Sequence, residues 1–304
     1  MLIFVTIKID FHFCLIIFSF HFYPLFLFRM HDMKEDKFID IRKIIGDKNP
    51  RLLRLLPNFV IRYIERILHE KEVNEVILDN RDKHNQAFCQ AVIDRFNIQL
   101  EVKGIENVPT TGGVTLAMNH PLGGMDAMAL VTALNNQRID LKFIVNDILL
   151  HLKSMEGMFV GVNKHGRNSN SNLLKIDEIF STGSAVCIFP AGLVSRKTNG
   201  KVQDLEWKKT FVSLSIKHNQ PIVPVYIDGK LSNFFYRLAK FRKAIGIKAN
   251  IEMFFLVDEL FKQKNAKMKL TFGKPIYPDS LSKSRSQKDW ANEIRNQVYS
   301  YSEQ

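Results

Sequence analysis

From residue 99 onward, short runs rich in β-branched and aromatic side chains alternate with longer stretches whose apolar positions recur every three or four residues. The short runs predict strands over 99–103, 114–118, 141–146, 158–163, 184–189, 222–227 and 268–273. The longer stretches predict helices over 125–137, 171–181, 206–218 and 288–300. This alternation predicts an α/β fold, a mixed sheet flanked by helices, occupying one domain over 99–304. There is no internal repeat, and the one serine- and lysine-rich joint, Ser280–Lys288, leads into the last helix.

Residues 34–98 have a helical pattern throughout and form a separate region ahead of that domain. Asn49-Pro50 marks a helix start, and Pro57 suits the first turn of the next segment. On a helical wheel Arg51, Arg54, Asn58, Arg62, Glu65, Arg66 and His69 share one narrow stripe. Leu52, Leu53, Leu56, Phe59, Val60, Tyr63, Ile64, Ile67 and Leu68 cover most of the rest, with Leu55 intruding on the polar side. A broad apolar face under an arginine-rich stripe suits a helix lying in a membrane surface, and equally a helix packed on its own core with a basic edge in water. Residues 1–33 are a hydrophobic extension. Phe11 to Phe28 is an uncharged run of 18, the lower limit for a spanning helix, although His12, His21 and Pro24 interrupt it. Either it is a single anchor, or translation starts at Met30 or Met33.

Composition narrows the partners. With 46% hydrophobic and 24% charged residues the chain is neither disordered nor polytopic. Lys and Arg total 43 against 31 acids, a net charge of +12, so an anionic partner is expected: phospholipid, phosphorylated substrate or nucleic acid. Cys14, Cys89 and Cys187 are too few and too scattered for a disulfide framework or a zinc site, which places the domain in a reducing compartment. His151, His165 and His218 lack partners at ligand spacing, so no metal is expected. No phosphate-binding loop or dinucleotide fingerprint is present, so no nucleotide cofactor is implied.

Candidate chemistry sits where two predicted strands end. After Val114–Met118 comes Asn119-His120-Pro121-Leu122-Gly123-Gly124-Met125-Asp126. A histidine at a strand end is held rigidly, and the Pro-Leu-Gly-Gly turn folds the chain back to bring Asp126 against the imidazole. A carboxylate on one ring nitrogen fixes the tautomer and supports the imidazolium formed when the other nitrogen takes a proton. That is a base and its orienter without a serine or cysteine, so the nucleophile is a hydroxyl of the substrate. The same residues also suit a plain helix start with His120 in the core. After Ala185–Phe189 comes Phe189-Pro190-Ala191-Gly192-Leu193-Val194-Ser195-Arg196-Lys197. Here Gly192 permits close backbone approach, and Ser195, Arg196 and Lys197 offer donors to a phosphate, although an ordinary turn with a solvated basic pair has the same sequence.

The order of N-H-P with a downstream acid, G-M-F-V-G-V-N-K (Gly157–Lys164), F-P-A-G and P-I-V-P-V-Y (Pro221–Tyr226) resembles the glycerolipid acyltransferases, the family that includes 1-acylglycerol-3-phosphate acyltransferase. The resemblance spans about residues 99–280. It implies that His120 is the catalytic base, Asp126 its orienter, and Lys164 and Arg196 phosphate ligands. It further implies that Asn119, Gly123, Gly124, Phe189, Pro190, Gly192, Ser195 and Lys197 border the substrates. The sequence departs from the family pattern in four places: the acid lies one residue late, Ala191 replaces a glutamate, Arg196 sits two positions late, and Lys164 stands where arginine is usual. Such changes are similar to a divergent hemolysin-like and amino-acid-lipid acyltransferase branch.

The resemblance implies transfer of a fatty acyl group from acyl-coenzyme A or acyl carrier protein to a lyso-lipid hydroxyl, with lysophosphatidate-like and N-acyl amino-acid lipids as acceptors. No further cofactor is implied. A membrane-associated lipid hydrolase and a non-catalytic basic lipid- or nucleic-acid-binding module are the rival classes. Residues 229–248 carry six basic residues and neither Asp nor Glu, with Phe234, Phe235, Tyr236 and Phe241 interleaved. This suits an anionic membrane surface, and equally a carrier protein's acidic face, single-stranded nucleic acid or a solvated helix face. Nucleic acid is not the expected partner. The expected location is the cytoplasmic face of the membrane, peripheral or singly anchored.

Overall fold

The structure, a computed structural model, describes residues 37–145, 147–161, 169–281 and 284–303. The hydrophobic extension 1–33 and Lys164 lie outside the described residues.

Among the described residues five short helices come first: α1 (Ile41–Lys48), α2 (Pro50–Leu55), α3 (Asn58–Ile67), α4 (Glu70–Asp79) and α5 (Asn85–Arg95). The Asn49 side chain caps α2 by accepting from Leu52 N–H, with Pro50 in the first turn where its missing N–H costs nothing. Pro57 then separates α2 from α3. Ile41, Ile44, Ile45, Leu56, Ile61 and Leu68 form a small core of their own, covered by Phe254 and Val257. The outward face is different: Leu55, Phe59 and Tyr63 are exposed at i, i+4 and i+8, and Arg51, Arg54, Arg62 and Arg66 lie exposed around them. The inner side of these helices is thus packed on the protein's own core, with a basic, partly apolar edge left exposed. Among the described residues no helix is long and apolar enough to cross a membrane.

A seven-stranded sheet follows, built from β1 (Gln99–Lys103), β2 (Val114–Met118), β3 (Leu141–Val145), β4 (Phe159–Gly161), β5 (Ala185–Ile188), β8 (Ile222–Ile227) and β9 (Lys267–Phe272) in the order β1-β9-β8-β2-β5-β3-β4. All neighbours pair in parallel except β8 with β9, which makes the sheet mixed. A two-stranded ribbon, β6 (Arg196–Thr198) and β7 (Lys201–Gln203), stands apart from it. Helices α6 (Gly124–Leu134), α7 (Ser169–Ser181), α8 (Thr210–Lys217), α9 (Asn233–Ala244), α10 (Leu256–Phe261) and α11 (Gln287–Ser300) complete the chain.

β2 lies at the centre and is buried along its whole length. Its side chains alternate: Val114, Leu116 and Met118 enter one core with residues of α5 and α6, and Ala117 enters another with Trp207, Phe211, Val212, Ile294 and Val298. Thr115 faces that second side too, where its hydroxyl meets Ser215 of α8 at 2.8 Å. Apolar layers on both faces hold the sheet, and the carboxyl ends of parallel β5, β2 and β8 open side by side at one edge of the domain, where open α/β sheets place their ligands.

Three expectations differ in detail. The helix foreseen over 206–218 starts only at Thr210, because Trp207 is buried and donates from Nε1 to Asp204 instead of entering a helix. The helix foreseen over 125–137 ends at Leu134. Neither α9 nor α10 was foreseen as a helix. The buried face of α9 includes Arg242 beside Phe235, Tyr236 and Ala239, so a charged residue breaks the apolar period.

Candidate active site

The sheet's last rungs position the first motif. Beyond Met118, Asn119 extends the pairing of β2 to β8 with its side chain: Oδ1 accepts from Ile227 N–H at 2.7 Å and Nδ2 donates to the Ile227 carbonyl at 2.8 Å. Its amide is consumed by this bond pair and its side chain is buried, so Asn119 fastens the strand end and does not present donors to a substrate. His120 follows on the register of Met118, toward α6.

The turn back depends on Gly123. Its φ of 73° and ψ of −130° belong to a region open essentially to glycine, and a Cβ there would stand 3.1 Å from Leu256 Cδ2. Gly124 then begins α6, and Asp126 falls in its first turn. The acid that lies one residue late in sequence is thereby returned to the histidine: His120 Nδ1 lies 2.9 Å from Asp126 Oδ2. The same oxygen accepts from Leu122 N–H at 2.9 Å, closing the loop. As the carboxylate accepts, Nδ1 carries the proton and Nε2 is left with its lone pair. The imidazole is about one-fifth exposed, whereas Asp126 is wholly buried. Its second oxygen, Oδ1, finds no hydrogen-bond partner among the described residues. Burial pushes the Asp126 carboxyl above the usual range, the hydrogen bond and charge of His120 oppose this, and the charge of Asp204 adds to it.

The second motif packs directly on the first. Phe189 leaves β5 and stacks on His120 with ring centroids 3.9 Å apart, which restricts the imidazole to one plane. Pro190 and Ala191 are buried, the Pro190 carbonyl accepts from Lys208 N–H at 3.1 Å, and Gly192 turns with φ 68°. Ser195 N–H donates to the His120 carbonyl at 2.8 Å, joining the two loops. Ser195 Oγ donates to Asp204 Oδ1 at 2.6 Å, so its hydroxyl is already engaged.

Arg196 does not stand open to a phosphate. It is buried, with Nη2 on Glu252 Oε1 at 2.9 Å and Nη1 donating to the Val194 carbonyl at 2.8 Å. Glu252 is shared with Arg242, and the guanidinium of Arg196 also lies over the Phe235 ring at 5.5 Å. This triad pins the loop to α9 and to the 251–255 turn. Lys197 is the exposed basic group of the segment, with Nζ 3.5 Å from Asn233 Oδ1. Of the residues singled out in sequence, the structure gathers His120, Asp126, Phe189 and Ser195 into one contact network, with the Gly123 carbonyl accepting from Asp126 N–H in the turn between them. Asp204 and Glu252 were not foreseen, because the contacts that tie them to the site, with His120 and Arg196, span 84 and 56 residues.

Chemically, an imidazole with a bare nitrogen, an oriented tautomer and a carboxylate behind it can take a proton from a hydroxyl and return it to a leaving group. That is the equipment of a group transferase whose nucleophile comes from its substrate. A family model described as Acyltransferase matches residues 43–303, and the chain belongs to that family. It is 39% identical over 262 residues to a lyso-glycine lipid O-acyltransferase of Bacteroides thetaiotaomicron, covering 86% of this chain and 96% of that protein. A lyso-glycine lipid O-acyltransferase of Phocaeicola vulgatus is 37% identical over 262 residues, 86% of this chain and 94% of that protein. The crystal structure of the 1-acyl-sn-glycerophosphate (LPA) acyltransferase PlsC from Thermotoga maritima is similar over 80% of this chain and 96% of that one, with a TM-score of 0.47 and 16% identity. The protein is an acyltransferase.

Proposed function

We propose that the protein moves a fatty acyl group from an acyl thioester to the hydroxyl of a lyso-glycine lipid, with His120 as base and Asp126 as its orienter. The observation that carries the chemistry is the 2.9 Å contact of His120 Nδ1 with a buried carboxylate, at the carboxyl end of the central strand. The acceptor class rests on the 39% and 37% identical relatives, which span nearly the whole domain.

His120 Nε2 takes the proton of the acceptor hydroxyl as its oxygen attacks the thioester carbonyl carbon. Asp126 stabilises the imidazolium so formed. Collapse of the tetrahedral intermediate breaks the C–S bond, and the imidazolium returns the proton to the departing thiolate. Acyl-coenzyme A and acyl carrier protein both supply such a thioester. A glycine lipid ends in a single carboxylate, for which one exposed lysine such as Lys197 is an adequate partner, so the engagement of Arg196 by Glu252 is no obstacle. Gly192 borders the same loop, and we assign Lys164 to the headgroup as well.

We further assign residues 34–98 to membrane association and 99–304 to the acyltransferase domain, the protein lying peripherally on the cytoplasmic face. The exposed Leu55, Phe59 and Tyr63 among Arg51, Arg54, Arg62 and Arg66 support that assignment. The test is a mass-spectrometric transfer assay on protein beginning at Met33, offering both thioesters against lyso-glycine lipid and lysophosphatidate. Diacylated glycine lipid that is absent with His120→Ala is the expected product. Release of free fatty acid without transfer would instead mean a hydrolase.

A further inference from the structure

The main chain of His120 leaves the sheet's hydrogen-bond ladder, yet neither of its polar groups is loose. The carbonyl accepts from Ser195 N–H at 2.8 Å. The N–H points at Asp204 Oδ1, 3.2 Å away. Asp204 is buried and follows directly on β7, outside the main sheet. Its carboxylate also accepts from Ser195 Oγ at 2.6 Å and from Trp207 Nε1 at 2.9 Å. Its own main chain is fixed by the last helix: its N–H donates to the Tyr299 hydroxyl at 2.6 Å and its carbonyl accepts from Arg295 Nη2 at 2.6 Å. Five hydrogen bonds thus converge on one residue, three on its side chain.

We propose that Asp204 is a positioning residue for the His120 base, fixing the backbone of residue 120 while Asp126 fixes its ring. Two carboxylates then serve one histidine in different ways. Asp126 sets the tautomer; Asp204 sets where the imidazole stands by bridging the His120 N–H to the Ser195 hydroxyl. The mechanical ground for this bridge is α11, reached through Arg295 and Tyr299. Such a link matters because a base must meet its proton within a few tenths of an ångström, and a misplacement of about 1 Å costs on the order of 100-fold in rate. The inference rests on His120 acting as the base in acyl transfer.

The experiment compares Asp204→Ala, Ser195→Ala, Trp207→Phe and the double variant Asp204→Asn/Trp207→Phe with the wild type and His120→Ala in the same transfer assay, with Tm measured for each. Asp204→Ala is expected to lower kcat by about 10- to 100-fold while KM for thioester and acceptor stays within about twofold. Ser195→Ala removes one hydrogen bond of the bridge and should lower kcat by roughly 3- to 10-fold with KM unchanged. In the double variant the amide oxygen still accepts from His120 N–H and Ser195 Oγ, and no indole N–H opposes the amide nitrogen. Its kcat should return to within about threefold of Trp207→Phe alone. Should Asp204→Ala not fold, the other variants decide. Wild-type kcat in folded Ser195→Ala and Asp204→Ala, losses confined to KM, or a double variant that regains Tm without kcat would overturn the positioning role. Absence of His120-dependent transfer in the wild type would overturn the functional reading itself, and this inference with it.

Discussion

Asp126 is held in a state that burial disfavours. Its carboxyl is pushed above the usual range, so the ionised form needed beside His120 costs stability. A group whose native pKa is raised contributes most to stability at low pH, and the contribution is lost as pH rises through that pKa. Replacing it by asparagine removes the charge but keeps an oxygen for Leu122 N–H and His120 Nδ1. Asp126→Asn should therefore raise Tm above the raised pKa, the gain shrinking toward zero at acid pH, while transfer falls steeply. Thermal unfolding at several pH values checks this, and a destabilised Asp126→Asn at neutral pH would contradict it. His120→Ala, which deletes the base, should lose about 10²–10⁴ in kcat. These two residues were legible in sequence because N-H-P-L-G-G-M-D carries both partners within one turn. The engagement of Arg196 was not, since Glu252 arrives from a turn 56 residues on. The bond pair of Asn119 was hidden for a related reason: only the sheet brings Ile227 opposite its amide.

At the level of elements, the loop from β2 to α6 is where backbone and chemistry meet. Gly123 adopts φ 73° and ψ −130° beside Leu256, so Gly123→Ala faces both backbone strain and a close contact. The backbone part alone is on the order of 1–3 kcal/mol. Gly123→Ala should lower Tm and turn the loop away from His120, and adding Leu256→Ala should restore only part of the loss because φ is unchanged. Full recovery on making that space, followed by thermal unfolding and kcat, would show that crowding and not conformation matters. The strands were easily legible: β1, β2 and β8 coincide with the expected 99–103, 114–118 and 222–227, since the buried inner strands β2 and β8 read as largely apolar runs and the edge strand β1 alternates polar and apolar residues. The ribbon β6–β7 was not, because Arg196-Lys197-Thr198 and Lys201-Val202-Gln203 have a mostly polar composition that carries no strand period. Helix α9 was concealed by Arg242, whose burial is possible only with Glu252 beneath it.

On the scale of the whole molecule, two apolar and basic surfaces connect. Leu55, Phe59 and Tyr63 lie exposed on the leading helices, while Phe234 and Phe241 lie exposed on α9, with Ile245 just past its end and Arg237 and Lys240 also exposed on it. Phe234 packs edge-on against Phe255 at 4.9 Å, and Phe255 against Phe254 at 5.8 Å, which in turn covers the α1–α3 core. Seating both surfaces on an anionic bilayer gains about 1 kcal/mol for each basic residue brought to the headgroups. Phe59→Asp combined with Phe241→Asp should then cut sedimentation with phosphatidylglycerol vesicles by at least about tenfold, with Tm little changed. Binding that survives both changes would move the docking face elsewhere. Net charge led to the expectation of an anionic partner, but the grouping of exposed apolar and basic residues into these surfaces depended on folding. The most direct test of the central claim is the transfer assay with a lyso-glycine lipid and an acyl thioester, run on wild type and His120→Ala side by side. Diacylated glycine lipid formed by the wild type and lost with His120→Ala is the predicted result; equal product from both proteins would contradict the account.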